Sequence, residues 1–401
     1  YDNGFLLELY ALEHARTGDP EMARIARETA GFLAREMTGG DGAFLSAIDA
    51  ETDGKEGAYY VWSRHELEQV IGTDEAQFLA PLYGFDREPF FEGDEYVLHL
   101  PQPLAAAAEQ RKMKRDELLS EIEPLRRKLL AARSERRRPL TDDKVLADWN
   151  GIAITGMATA GRVLGEPERV EQAARAARFV LREMRPAGVL LHVWRDGEAK
   201  LPAFLADYVF MIRGLLALHE ATGEPEWLAA AEELAAEQIE RLKDPAGGFF
   251  NADEAPDLLF RPKDMMDGAM PAANSVAALD FLELARRTGD PAQASRWRLE
   301  AAQVLRSMGG LIRDYPDAAR MATVAALRHG GAGSAEPAAP GPLEGEAREV
   351  VTATARYGDE AGEGSIRPFR LTLEIEPGWH LQANPASEAD LVATRVEAKR
   401  G

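Results

Sequence analysis

Two acid-rich stretches carry the residue types that proton-transfer chemistry needs. The first is Asp49-Ala50-Glu51-Thr52-Asp53-Gly54-Lys55-Glu56-Gly57. A pair of carboxyl groups from such a loop, brought within about 5 to 10 Å of each other, can serve as general acid and general base in glycosyl chemistry. Asp49 and Asp53, with Asp143 from the second stretch, are the acid–base candidates, and Glu51 is a ligand contact. Asp49, Glu51, Asp53 and Gly54 also match positions one, three, five and six of a calcium loop, but Tyr60 stands where the bidentate glutamate belongs. No metal site is expected there. The second stretch is Asp142-Asp143-Lys144 followed by Asp148-Trp149-Asn150. Sugars present hydroxyls to carboxylates and a C–H face to an aromatic ring, so carboxylates beside an indole suit them. Trp62, Trp149 and Asn150 would form the binding floor. The competing reading is local, because Asp148 or Asn150 can equally cap a helix. Of the seven histidines only His192, beside Trp194 in a long loop, stands where a general base could work. His14 and His219 lie near helix C-termini and are expected to be structural.

These residues are held by a repeated unit. Asn3, Asn150, Tyr208 and Asn274 each open an apolar segment, and a glycine follows each of them after fifteen residues: Gly18, Gly165, Gly223 and Gly289. Two residues further on stands a proline: Pro20, Pro167, Pro225 and Pro291. Glycine accepts the left-handed conformation that ends a helix, and proline is preset for the first turn of the next. Each unit is therefore an antiparallel helical hairpin with a tight turn. Between Gly151 and Leu164 the only charge is Arg162, whereas the partner segment to Met184 is heavily charged. Apolar first helices should form an inner ring and charged second helices an outer one. The inner N-termini, carrying Asp2, Asn3, Asp148, Asn150, Asp207, Tyr208, Asn274 and Ser275, would rim one mouth, where free amides favour anionic or hydroxyl-bearing ligands.

The expected fold is mainly α, an (α/α)6-type toroid of helical hairpins over residues 1–328, with a helical insert at 63–140. A Gly/Ala/Pro/Ser-rich linker follows at 329–346 and a small β module at 347–401. In the insert, eleven Lys or Arg between Arg111 and Arg138 read as a solvated helix pair. The net charge of −21 argues against a nucleic-acid partner. The chain has no cysteine, so there is no disulfide, thiolate metal site or thiol nucleophile. No Gly-rich phosphate loop stands in the strand context it requires, and no cofactor is expected. No apolar run is long enough to span a bilayer, and a cytoplasmic location is the expectation.

The stretches Tyr1-Asp2-Asn3-Gly4, Arg35-Glu36-Met37, the loop 49–57, Tyr60-Val61-Trp62 and Asp142-Asp143-Lys144 through Asp148-Trp149-Asn150-Gly151 resemble a known family. It is the thioredoxin-domain family of the bacterial YyaL proteins and the spermatogenesis-associated thioredoxin-domain protein of animals. The resemblance covers residues 1–320. It implies an N-terminal thioredoxin-like domain, which this sequence lacks, followed by a toroid similar to six-hairpin glycosidases and N-acylglucosamine 2-epimerases. Four full hairpins are evident here against the family's six, one of which the insert would supply. The tail, with Pro377-Gly378-Trp379-His380, is similar to the β domain of thiol:disulfide interchange proteins but has no cysteines. The expected function is binding or processing of a carbohydrate-like ligand, with Asp2, Asn3, Glu51, Trp62, Asp142, Lys144, Asp148, Trp149, Asn150, His192, Asp207 and Asn274 as contacts. The alternative is a non-catalytic module working with a thioredoxin-like domain, which would leave the mouth plugged or its carboxylates paired with arginine.

Overall fold

The computed structural model describes residues 1–331 apart from 90, 92, 256 and 257, together with the backbone of strands 351–357 and 369–375. Residues 1–332 form one compact unit and 333–401 another. In the second, Val351–Tyr357 pairs antiparallel with Phe369–Ile375. Most of the linker expected at 329–346, and the stretch Pro377-Gly378-Trp379-His380 of the tail, lie outside the described residues.

The first unit is mainly helical. Its α-helices are α1 (Asp2–Thr17), α2 (Pro20–Glu36), α3 (Arg64–Ile71), α4 (Thr73–Tyr83), α5 (Leu104–Gln110), α6 (Arg115–Ser134), α7 (Ala147–Leu164), α8 (Pro167–Glu183), α9 (Leu205–Thr222), α10 (Pro225–Leu242), α11 (Ala273–Arg287), α12 (Pro291–Ser307), α13 (Gly309–Asp314) and α14 (Arg320–Gly331). The four hairpins are α1–α2, α7–α8, α9–α10 and α11–α12. Gly18, Gly165 and Gly223 end the first three inner helices in the left-handed conformation at φ near 70°. The fourth departs from the pattern: Thr288, in extended backbone, closes α11. Every outer helix starts on its proline, and Asp19 and Asp290 cap theirs by accepting from the amides of Glu21 and Ala292. His14 and His219 each bond through Nδ1 to the backbone carbonyl of the residue after the turn glycine, Asp19 and Glu224. Both are turn fasteners.

Inner helices pack in sequence, α1 on α7, α7 on α9 and α9 on α11, each backed by its own outer helix, and α14 packs on α11. This is the (α/α)-toroid arrangement. Helices α7, α9 and α11 are buried on nearly all sides, as apolar rods must be. In contrast α1 leaves Leu6, Leu9 and Leu12 exposed, because nothing among the described residues covers that face. Among the charged pairs between inner helices, Arg213 of α9 reaches the buried Asp280 of α11 at 3.3 Å. Burial pushes the Asp280 carboxyl well above its ordinary range against the pull of that guanidinium.

Two glycine contacts set the spacing of the inner layer. A Cβ on Gly151 would stand 2.3 Å from the carbonyl carbon of Phe210 and 2.5 Å from the Met211 nitrogen, so α7 meets α9 backbone to backbone. On its other side a Cβ on Gly156 would reach the Gly4 carbonyl of α1 at 2.5 Å.

The insert builds a second core of its own rather than adding a hairpin to the ring. Trp62, Leu67, Ile71, Leu79, Phe85, Tyr96, Leu118 and Ile122 are among the side chains it buries. Ser63 and Glu66 form the capping box that opens α3. Arg126 binds Glu28 of α2 at 2.8 Å, and Arg138 pairs with Glu36. Residues 58–60 are turn, and Trp62–Ser63 pairs with Glu95–Tyr96.

The openers of the inner helices do a repeated structural job. Asn150 accepts from the Phe44 amide at 2.8 Å and donates to the carbonyls of Phe44 and Leu146, both at 2.9 Å. Asn274 accepts from Phe249 N–H at 2.8 Å and donates to the carbonyls of Phe249 and Asp264 at 3.0 Å. In the unit between them Tyr208 donates to Glu237, which accepts from Leu190 N–H. Asn150 and Asn274 thus clip the long loop that precedes them directly, and Tyr208 does so through Glu237. This corrects the expectation that Asn150 and Asn274 contact a ligand: both are almost fully buried, and their amides are committed to backbone. Asn274→Ala would leave the Phe249 amide and two carbonyls unpaired inside the protein. It is expected to lower unfolding free energy by about 2–4 kcal/mol, read from the urea midpoint at unchanged slope.

Candidate functional site

The residues that converge at the inner N-termini are Asp148, His192 and Asp207. Strand pairing explains how. Leu191–Arg195 and Glu198–Pro202 form a hairpin whose turn, Asp196-Gly197, takes φ of 54° and 81°, positive at both central positions as a tight two-residue hairpin requires. Val145–Leu146 joins as a third strand, Leu146 opposite Val193 and Val145 opposite Trp194. The chain then enters α7, which sets Asp148 against His192.

Asp207, in the first turn of α9, is fully buried. Its Oδ2 accepts from Phe204 N–H at 2.7 Å and its Oδ1 from Asp148 N–H at 3.0 Å. His192 Nδ1 lies 3.0 Å from both oxygens. A carboxylate holding Nδ1–H fixes the imidazole tautomer and leaves Nε2 as the lone-pair nitrogen. Phe204 packs against the ring at 4.9 Å between centroids, nearly edge-on. The His192 side chain keeps 21% of its surface open to solvent. The hydrogen bond to Asp207 raises the affinity of His192 for its proton, against desolvation.

Asp148 is also buried and accepts from the Trp149 amide at 2.8 Å. Desolvation first, and the Asp207 charge second, lift its carboxyl from 3.8 to about 6. It has no arginine or lysine partner within ion-pair range among the described residues. A carboxyl whose proton affinity is raised thus stands beside an aspartate-oriented imidazole, and near neutrality the two groups share one exchangeable proton.

One consequence follows for stability. Between pH 3.8 and about 6 the folded chain keeps a proton on Asp148 that the unfolded chain releases. His192 extends the same imbalance above its ordinary 6.5. Both contributions are present at low pH and are lost as pH rises through the folded values. Asp148→Asn is therefore expected to stabilise the protein at pH 7 by about 1–3 kcal/mol, with the gain vanishing below pH ~4. Urea unfolding of both proteins across that range checks it.

The three groups place one ligand atom each within 4.8 Å of the others, a grouping that can hold a metal ion. The donor set fits a metal poorly, since both Asp207 oxygens already accept backbone N–H groups and His192 Nδ1 is turned onto the same carboxylate.

At the N-termini of α1 and α7 lies a cleft of about 360 Å³ lined by Tyr1, Asp2, Asn3, Ser46, Tyr60 and Trp149 among others, and not by the three clustered residues, to which it is joined in sequence through Trp149. Tyr1 and Trp149 stack at 5.1 Å between ring centroids, tilted by 56°. Of the residues expected as ligand contacts, Asp2, Asn3 and Trp149 line this cleft, and Lys144 acts electrostatically on His192 while pairing with Asp142 at 3.1 Å. Tyr1, Ser46 and Tyr60 were not singled out from the sequence. Their signal would have been position, Tyr1 preceding an opener and Ser46 and Tyr60 following a clipped loop.

The other acidic candidates lie elsewhere. Glu51–Thr52 and Lys55–Glu56 form a two-stranded hairpin with Asp53-Gly54, both at positive φ, as its tip. Asp49 accepts from the Glu51 amide at 3.0 Å, and Asp53 pairs with Arg137. Asp143 is exposed and held by Arg195 at 2.8 Å. Glu51 is exposed on the hairpin. Trp62 is buried under Arg136, whose guanidinium lies 4.0 Å from the ring centroid, and it lines a different cleft from Trp149. The two tryptophans do not share a floor.

No family model matches the chain. It is homologous to spermatogenesis-associated protein 20: 33% identical to the mouse protein over 326 residues, which is 72% of this chain and 41% of that protein. The human protein is 33% identical over 327 residues, 72% of this chain and 42% of the human one. An uncharacterized Caenorhabditis elegans protein is 26% identical over 361 residues, 82% and 49% of the two chains. The chain spans less than half the length of these relatives. Among solved structures, D-mannose isomerase is similar with a TM-score of 0.38 at 12% identity, covering 76% of this chain and 75% of that one. The unsaturated glucuronyl hydrolase of Bacillus sp. GL1 gives 0.37 at 15%, covering 76% and 72%. Among the described residues no helix is long and apolar enough to cross a membrane.

Proposed function

We propose that this homologue of spermatogenesis-associated protein 20 is a proton-transfer enzyme acting on a hydroxyl-bearing, sugar-like carbonyl compound. The observation that carries the reading is the Asp148–His192–Asp207 cluster at the inner-helix mouth. His192 Nε2 takes a proton from the carbon next to the carbonyl, and the C–H electron pair moves to form an enediol. Protonated Asp148 gives its proton to the carbonyl oxygen. Ionised Asp148 then takes the proton of the enediol's other hydroxyl while protonated His192 delivers its proton to the former carbonyl carbon, which completes an isomerisation. Asp207 positions the imidazole and stabilises its charged form. The cleft behind Tyr1 and Trp149, with Asp2 and Asn3 at its edge, would hold the rest of the sugar.

This reading is favoured over two-carboxylate glycoside hydrolysis. Asp207 is fully buried with both oxygens occupied, so it cannot present a nucleophile. A non-catalytic module, working with a thioredoxin-like domain in a longer parent chain, is the second reading. It is supported by the arginine pairing of Asp53 and Asp143, although Asp148 and His192 stand outside that pattern. The test is incubation with a panel of aldoses, ketoses and N-acylhexosamines in deuterated water, followed by proton NMR. Deuterium should enter the carbon beside the carbonyl of at least one compound. Binding of a sugar without any exchange would favour the module.

A further inference from the structure

A second cleft, of about 710 Å³, opens between α2 and α6. In a chain of net charge −21 its lining is cationic: Arg35, Arg126, Arg127 and Arg133 against Glu28 and Glu123. Its apolar surface includes Tyr60, Trp62 and Tyr83, and Tyr60 also lines the cleft at the inner-helix mouth.

The four arginines are not equivalent. Arg126 is held by Glu28 at 2.8 Å and Glu123 at 3.2 Å, and Arg35 by Glu36 at 2.8 Å. Arg127 meets Glu123 only at 3.9 Å and is largely exposed. Arg133 has no carboxylate within ion-pair range among the described residues, and its Nε is buried with no hydrogen-bond partner. The guanidinium is nonetheless fixed in place, 5.3 Å from the ring centroids of both Tyr59 and Tyr60. A planar guanidinium offers a fork that matches an oxyanion. Aromatic faces set the plane of that fork without using its donors.

We propose that this cleft binds a small organic oxyanion, a phosphate monoester or a carboxylate, with Arg133 as the receiving fork and Arg127 as a second cation. The volume lies within the range of small-molecule sites, and the tyrosine and tryptophan surfaces suit the uncharged body of such a ligand. The site is separate from the Asp148–His192–Asp207 cluster and does not depend on the activity proposed there.

Calorimetric titration at low ionic strength with inorganic phosphate, glucose 6-phosphate and glucuronate tests it. At least one ligand class should bind saturably with one-to-one stoichiometry, and the phosphate and glucuronate arms tell the two sources apart. Arg133→Met should weaken that binding by more than ~10-fold, whereas Arg182→Met, which removes an exposed cation on α8, should leave it unchanged. Arg133→Lys keeps the charge but not the fork, and a loss of several-fold is expected even if the methionine variant fails to fold. Absence of saturable binding to the wild-type protein by either class, or wild-type affinity in a folded Arg133 variant, would overturn the proposal.

Discussion

Replacing His192 by glutamine is expected to lower the rate of substrate deuterium exchange by about 10²- to 10⁴-fold while the protein stays folded. The side chain reaches solvent, so the substitution leaves no buried cavity, and glutamine can still donate to Asp207. What disappears is the lone-pair nitrogen whose basicity Asp207 raises. Asp148→Asn should cost a similar factor by removing the proton that the carbonyl oxygen receives. The two losses should not add in the double variant, because acid and base act on one transition state. Because Asp148 ionises near 6 and His192 holds its proton beyond 6.5, the reactive form, protonated Asp148 beside neutral His192, is the minor tautomer of the singly protonated cluster. The wild-type rate should therefore rise as the doubly protonated cluster loses its first proton and fall as it loses the second, both steps belonging to the coupled pair.

The second large effect concerns the frame. Gly151→Val is expected to abolish folding, or to destabilise the chain by more than ~4 kcal/mol. Even a Cβ there would lie 2.3 Å from the Phe210 carbonyl carbon, and backbone cannot move aside as the tip of a flexible side chain can. Relief would require α7 and α9 to separate, which pulls Asp148 away from Asp207. Gly289→Ala is the matched control. That position has open space around it and no positive φ, so a change within about 0.5 kcal/mol is expected. Thermal and urea unfolding of the two variants reads the contrast.

Much of the frame was legible because it rests on local chemistry. Glycine and proline at fixed spacing marked three helix ends and four helix starts, and charge told inner helices from outer ones. The packing of α7 on α9 was not legible, since Gly151 reads the same whether it faces a helix, a ligand or water. At the site, His192 and the openers were found by position, but their partition into chemistry and scaffold was not. Asn150 and Asp148 are two residues apart in one sequence motif. One faces the Phe44 backbone and the other an aspartate 59 residues away, and only the folded chain distinguishes them. Acidic composition misled at residues 49–57, where Asp53-Gly54 is turn chemistry. The same Asp-Gly signal at Asp196-Gly197 marks the hairpin that carries His192, in a segment that had read as loop.

Whether the inner-helix mouth is built for proton transfer is decided most directly by titration, without knowing the substrate. Carbon and nitrogen NMR of labelled protein follows the Asp148 carboxyl and the His192 imidazole across pH 3 to 9. The account predicts a carboxyl titrating near 6, coupled to an imidazole above its ordinary value, with the imidazole shifting downward in Asp207→Asn. An Asp148 carboxyl ionising in the common aspartate range, beside a His192 that titrates as a free side chain, would contradict it.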